Sequence, residues 1–229
     1  MVQIKGFEKL TLVDYPDKIA ATIFMPGCNF RCDYCHNPEL VLKSHKLKTI
    51  NEKEILDYLD SKKKWIDGVC ITGGEPTLQK DLPEFIKKIK KQNILVKLDT
   101  NGTNSKMLKS LIDKKLLDYI AMDIKAPIEK YNQVTGVTAD TDTIKKSINL
   151  IKTSNIDHEF RTTVCPNTFN EKDMHSIGNL IANGKKYTLQ GFKPSKHINE
   201  SMKNTPQTEQ KELKKLAKTA NKYIKCDIR

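Results

Sequence analysis

The stretch GVCITGGEP, residues 68–76, decides the fold: a short apolar run breaks directly into two glycines, an acid and a proline. A run of this length with β-branched residues and glycine punctuation reads as a strand buried on both faces, not as a helix. Strands of that kind belong to parallel sheets covered by helices. Outward from it the same pattern recurs. Strands are expected at Ile19 to Phe24, Gly68 to Thr72, Leu95 to Asp99, Tyr119 to Met122, His158 to Val164 and Tyr187 to Gly191. Amphipathic helices fill the intervals: Asn51 to Lys63, Leu82 to Lys91, Ser105 to Lys114, Thr141 to Thr153 and Glu171 to Ala182, with a last one near Pro206 to Lys222. Asn51 is placed to cap its helix, and Glu54 three residues on would close a capping box.

Each predicted strand delivers a polar or turn-forming motif. CNFRCDYC follows the first, TGGEP the second, DTNG the third and MDIKAP the fourth, while RTTVCP closes the fifth and QGFKP follows the sixth. In parallel βα folds the carboxyl ends of the strands share one face, where sites form. A complete eight-unit barrel needs roughly 250 residues, and the chain has 229. The expected fold is therefore α/β, a partial (β/α)6 TIM-like barrel open on one side, with an open doubly wound sheet as the alternative. No linker or composition shift divides the chain, so one domain over 1–229 is expected: an N-terminal extension 1–18, the partial barrel 19–192 and a C-terminal helical segment 193–229.

Hydrophobic residues make up 38% and charged residues 30%, and mean hydropathy is −0.56. No apolar run approaches the roughly 20 residues of a membrane span, and Met1 to Lys9 has no apolar core of a secretory signal, which points to the cytoplasm. Net charge is +12. The arginines are only Arg31, Arg161 and Arg229, and the lysines are scattered on helical faces without aromatic interleaving. That pattern argues against a dedicated nucleic-acid surface and for a basic coat that attracts acidic proteins.

The cysteines are more specific. Cys28, Cys32 and Cys35 crowd one loop as CxxxCxxC, while Cys70, Cys165 and Cys226 stand alone, the first two in apolar runs typical of small core residues. Three thiolates on one loop suit a soft metal centre. A structural zinc would need a fourth ligand, and His36, adjacent to Cys35, is badly placed for the same tetrahedron. Cys32, Cys35 and His36 also match the CxxCH haem-attachment pattern, which requires export. The remaining reading is a 4Fe-4S cubane with three protein ligands and one open iron.

CxxxCxxC with Tyr34, followed in order by YCHN, GGEP, DTNG and DIK, resembles the radical S-adenosylmethionine (SAM) superfamily. More narrowly, GFEKLTLVDYPDKIAATIFMPGCNFRCDYCHNPEL resembles the glycyl-radical-enzyme activases, those of anaerobic ribonucleoside-triphosphate reductase above all. The resemblance implies that Cys28, Cys32 and Cys35 hold a 4Fe-4S cluster. Its open iron chelates S-adenosyl-L-methionine, whose reductive cleavage gives a 5′-deoxyadenosyl radical.

It implies roles for the other motifs as well. Gly73 and Gly74 would bring backbone carbonyls near the methionine amino group, with Glu75 as a further acceptor. Asp99 would lie near the nucleoside, and Asp123 and Lys125 near the ribose and the methionine carboxylate. Tyr34 and His36 would lie against the adenine. Arg161 would reach the cofactor, the alternative being a structural pair with an aspartate. As an alternative, the resemblance to the related formate-lyase activases implies a monovalent cation held by Asp99, Thr100 and Asp123. The formate-lyase activases carry a His after the sixth strand; here Gln190, Gly191, Phe192 and Lys193 stand there, with His197 a few residues on. Implied partners are a glycyl radical enzyme, anaerobic ribonucleotide reductase above all, and reduced flavodoxin or ferredoxin as electron donor. The rivals are a formate-lyase-type activase, a radical enzyme acting on a small molecule, and a nucleic-acid-binding metal knuckle.

Overall fold

The computed structural model describes residues 1–195 and 200–229, so His197 lies outside the described residues. Among the described residues the strands are β1 Gly6–Thr11, β2 Ala20–Met25, β3 Gly68–Gly73, β4 Leu95–Thr100, β5 Tyr119–Asp123, β6 Asp157–Val164, β7 Tyr187–Gly191 and β8 Cys226–Ile228. The helices are α1 Pro38–Leu42, α2 Glu52–Lys62, α3 Leu82–Lys90, α4 Ser105–Asp113, α5 Tyr131–Thr135, α6 Thr141–Thr153, α7 Glu171–Ile181 and α8 Gln210–Ala220. The α/β alternation expected from the sequence is present, and all six expected strands form. Among the described residues no helix is long and apolar enough to cross a membrane.

The chain forms two compact units that interleave along the sequence. The first comprises Met1–Asn29, Glu39–Thr100 and Lys106–Ile120. Here β2, β3 and β4 run parallel, with Thr22 opposite Cys70 and Cys70 opposite Lys97. Ala21, Ile23, Met25, Val69, Ile71, Val96 and Leu98 are buried on one side of these strands. α3 turns Leu82, Phe85, Ile86 and Ile89 inward and leaves Lys87 and Lys88 outside, the stripe a 3.6-residue period produces. Asn51 caps α2 by accepting a hydrogen bond from the Lys53 N–H at 2.8 Å.

The segment 1–18 is more than a lead-in. Gly6–Thr11 pairs antiparallel with β2, Phe7 opposite Ile23, and Ile4 bridges to Ile50. Sequence periodicity misses β1 because its central residues, Glu8 to Leu10, are all exposed.

The second unit comprises Phe30–Pro38, Asn101–Ser105 and Ala121–Arg229. β6, β7 and β8 pair parallel, with Arg161 opposite Thr188 and Tyr187 opposite Cys226. β8, three residues long, follows α8 in the segment 193–229, which the sequence predicts to be helical only. The full capping box forms at α7, where the Asn170 side chain accepts from the Asp173 N–H and the Asp173 carboxylate accepts from the Asn170 N–H. At the start of β6, His158 is 3% exposed. Its Nδ1 lies 2.9 Å from the Ile156 carbonyl, and its Nε2 accepts from the Lys185 N–H at 3.1 Å. The ring is thus held neutral, with the proton on Nδ1.

Burial holds the His158 pKa below the ordinary histidine value, against the opposing pull of its bond to the Ile156 carbonyl. The unfolded chain then binds more protons than the folded one below about pH 6.5. Stability is complete above that value and falls as the pH drops through the folded pKa. The urea midpoint should therefore fall between about pH 7 and pH 5 by more in the wild type than in His158→Gln. Equal slopes for the two proteins would show that the ring is not buried neutral.

Candidate functional site

In the first unit the ends of β2 and β3 are fastened backbone to backbone. The Gly74 N–H donates to the Met25 carbonyl at 2.8 Å and the Glu75 N–H to the Gly27 carbonyl at 2.7 Å. Both glycines are required for this approach. Gly73 has φ +119°, and a Cβ there would lie 2.4 Å from the Met25 oxygen; a Cβ on Gly74 would lie 1.8 Å from the Gly27 oxygen. Neither distance is tolerable for a side chain. The GG of GGEP therefore has a demonstrated packing reason. It sets the position of the chain one residue before Cys28.

Glu75 is fully buried. Its Oε1 accepts from the Thr77 N–H at 3.1 Å and from the Thr77 and Thr100 hydroxyls at 2.5 and 2.8 Å. The carboxylate thereby caps the short turn Pro76–Leu78 and ties the end of β3 to the end of β4. Asp99, two residues beyond Lys97 on the same face of β4, accepts a hydrogen bond from the Lys97 ammonium. Lys97 is 1% exposed and also donates to the Cys70 sulfur at 3.6 Å. Sequence reasoning passed over Lys97. The signal was present, since it is the only charge inside LVKL and shares a face with Asp99.

In the second unit a charged trio surrounds Asp123 at the end of β5. Arg161 Nε donates to its Oδ1 and Lys125 Nζ to its Oδ2, both at 2.9 Å. Burial pushes the Asp123 carboxyl up, but the two cations outweigh it and hold the pKa well below the usual carboxylate range. Burial pulls Lys125 down, and Asp123 more than compensates, so its pKa stands well above the ordinary lysine value. All three groups are charged at neutral pH. The trio thus carries two positive charges against one negative. Arg161 forms the aspartate pair that was the alternative to a cofactor contact.

The cysteine loop enters the same unit at Cys32, Tyr34, Cys35 and His36. Lys125 Nζ stands 6.0 Å over the Tyr34 ring, and the Lys125 backbone N–H donates to the Tyr131 hydroxyl at 3.2 Å. Tyr34 and Met202 pack against the buried pair Cys165 and Phe192, and the Tyr34 hydroxyl is buried with no hydrogen-bond partner. His36 Nε2 lies 3.3 Å from the Lys193 carbonyl and its ring 6.1 Å from that of Phe192. Arg31 is a loop-shaping residue. Its backbone N–H donates to the Thr135 carbonyl at 2.7 Å, and its Nη1 to the Phe30 carbonyl at 2.8 Å. Burial raises the Cys32 thiol pKa, and Lys125 pulls against it.

The six cysteines are reduced, with Cys28 and Cys35 half-buried and Cys32 buried. Among the described residues no three His, Cys, Asp or Glu side chains stand close enough to hold a metal ion. What fits the three loop cysteines to an iron-sulfur centre is donor chemistry: three soft thiols carried on one loop. The unmatched Tyr34 hydroxyl and the net-positive trio fit a polar, carboxylate-bearing ligand.

Residues 22–181 match the family model of the radical SAM superfamily. A protein of Methanocaldococcus jannaschii, provisionally named a glycyl-radical enzyme activating enzyme, is 37% identical over 96% of this chain and 92% of its own length. A pyruvate formate-lyase-activating enzyme of Clostridium pasteurianum is 33% identical over 59% of this chain and 58% of its own length. Among solved structures, SuiB of Streptococcus suis bound to S-adenosylmethionine superposes with a TM-score of 0.69 at 13% identity, over 91% of this chain and about half (51%) of SuiB. That likeness concerns the fold. The matched family model, together with a relative aligned over nearly the whole chain, establishes that this chain belongs to the radical SAM superfamily and, within it, to the glycyl-radical enzyme activating family.

Proposed function

We propose that the chain binds a 4Fe-4S cluster through Cys28, Cys32 and Cys35 together with S-adenosyl-L-methionine, and installs a glycyl radical on anaerobic ribonucleoside-triphosphate reductase in the cytoplasm. When bound, the reduced cluster would supply the electron that cleaves the sulfonium bond and so generates the radical that takes a hydrogen atom from the partner's glycine. The protein's own residues bind and orient. The observation that carries the reading is the net-positive trio of Asp123, Lys125 and Arg161 in one unit with the thiol of Cys32. A desolvated cation not wholly spent on its aspartate is the group a methionine carboxylate requires.

Lys125 takes that carboxylate, while Asp123 holds Lys125 and Arg161 in place and offers an oxygen edge toward the ribose. Arg161, bonded to Asp123 through Nε, would bring its guanidinium to the cofactor. Tyr34 supplies its buried hydroxyl and ring beside the adenine, and His36, held at the Lys193 carbonyl, closes the same side. Gly73, Gly74 and Glu75 set the backbone that meets the methionine amino group. Asp99 faces the nucleoside. The basic surface, +12 overall, favours encounter with an acidic electron donor such as flavodoxin or ferredoxin.

Anaerobically reconstituted protein, mixed with reductant, S-adenosyl-L-methionine and candidate glycyl enzymes, should give a glycine-centred EPR doublet with the reductase. A doublet with a formate-lyase instead would move the assignment to that partner. Deoxyadenosine release without a doublet from any glycyl enzyme would replace the activase reading with a small-molecule reaction. Cys32→Ala should lose the iron-sulfur absorption and all cleavage; a variant that keeps both would remove the cluster assignment. Lys125→Met should weaken S-adenosyl-L-methionine binding by about tenfold or more, the loss of one charge-assisted contact. Equal affinity in equilibrium dialysis would show that the lysine does not meet the carboxylate.

A further inference from the structure

A lysine ammonium buried inside a sheet is strongly destabilising unless a counter-charge meets it. Lys97 lies at the middle of β4 and is 1% exposed. Its counter-charge is Asp99, to which it donates. Cys70, its register partner on β3, supplies a second, softer acceptor at 3.6 Å. The two members of the pair differ in depth: the Lys97 side chain is 2% exposed and that of Asp99 14%. The ammonium is therefore enclosed, while the carboxylate stands at the carboxyl end of the strand, next to the DTNG turn.

We propose that Lys97 is the built-in counter-ion of Asp99. It supplies from inside the protein the positive charge that a monovalent cation at Asp99, Thr100 and Asp123 would otherwise bring, so cofactor binding by this chain needs no such cation. The other two candidate ligands are also committed, each within its own unit. The Thr100 hydroxyl donates to Glu75 at 2.8 Å. Both oxygens of Asp123 accept from cationic side chains, Arg161 and Lys125. Asp99 is thus met by a lysine within its own unit and Asp123 by two cations within its own, so neither carboxylate requires a further positive ion. The residues present do not fit a monovalent cation. Lys97 is a positioning residue, holding the carboxylate of Asp99 in its orientation through the hydrogen bond it donates. The nucleoside role of Asp99 rests on the function proposed above; the pairing does not.

The test uses reconstituted full-length protein in choline, sodium or potassium chloride at equal ionic strength. It reads S-adenosyl-L-methionine affinity by equilibrium dialysis and, separately, the thermal unfolding midpoint of the protein without that ligand. Wild-type affinity and midpoint should agree across the three salts, within about twofold for affinity. Lys97→Met should bind about tenfold more weakly in choline, the equivalent of roughly 1.4 kcal/mol, and recover saturably with potassium or sodium. Wild-type binding that falls more than about fivefold in choline would overturn the proposal, as would a Lys97→Met variant that binds in choline as the wild type does.

If Lys97→Met does not fold, the wild-type salt comparison still decides, and Lys97→Met/Asp99→Asn, which buries no charge at either position, should fold with a salt-independent midpoint. A double variant whose midpoint still rises with potassium would likewise overturn the proposal. If the protein binds no S-adenosyl-L-methionine at all, the function proposed above fails. The midpoints then still report the pair, supporting it if a destabilised Lys97→Met is rescued by potassium and overturning it if Lys97→Met matches the wild type.

Discussion

The carbonyl oxygen of Gly27 occupies the place where a Cβ on Gly74 would stand. From that backbone approach the candidate site takes its geometry. Because residue 74 has no side chain, the Glu75 N–H reaches the Gly27 carbonyl and the ends of β2 and β3 are fastened before the chain departs into CNFRCDYC. The Glu75 carboxylate accepts from the hydroxyls of Thr77 and Thr100, which carries the fastening on to the end of β4. A loop that must present thiols at fixed positions is better anchored by paired backbone groups of neighbouring strands than by flexible side chains, since the strands are already held by their own ladders.

Buried charge is managed locally in each unit. Asp123 is bracketed by two cations, and Lys97 is answered by an aspartate two residues along its own strand. An unpaired ion at either place would be costly, and removal of one partner exposes the other to the full desolvation penalty. The two arrangements have opposite sense. At Asp123 the anion is outnumbered and the excess is positive, which suits a carboxylate ligand. At Lys97 the cation is the deeper member and the anion the more exposed one, which suits a hydroxyl-bearing ligand.

Much of the fold could be read from sequence because parallel strands buried on both faces are written as short apolar runs, and GVCIT and YIAMD carry that mark plainly. β1 and β8 could not be read in the same way. Glu8, Lys9 and Leu10 are exposed at an edge, and β8 is only three residues long, so neither has the burial that creates a pattern. At the site, residue types and spacing picked out the cysteines, the glycines and the DxK pair. Depth is not written in a motif. Lys97 stands out in sequence only as the single charge inside LVKL, and its depth shows only in the structure; the glycines of GGEP look like ligand-facing residues until Met25 and Gly27 are seen pressed against them. For Arg161 the sequence offered two partners, and only the structure shows the bond to Asp123.

The strands of the first unit explain how one sheet serves stability and chemistry together. Thr22, Cys70 and Lys97 are register partners across β2, β3 and β4, so they share one face in one row, and the Thr22 hydroxyl donates to Asp14 at 2.6 Å. The alternate positions, Ile23, Ile71 and Leu98, are fully buried and apolar. Successive side chains in a strand point to opposite faces, so hydrophobic stabilisation is concentrated on one face and hydrogen-bonding groups on the other. A polar row inside a sheet would be a liability if it also had to supply the core. Here it is relieved of that duty, because the opposite face supplies the apolar burial. The parity of a residue within its strand, more than its distance from any motif, therefore separates positions where substitution costs folding from positions where it costs the polar lining on which Asp99 depends.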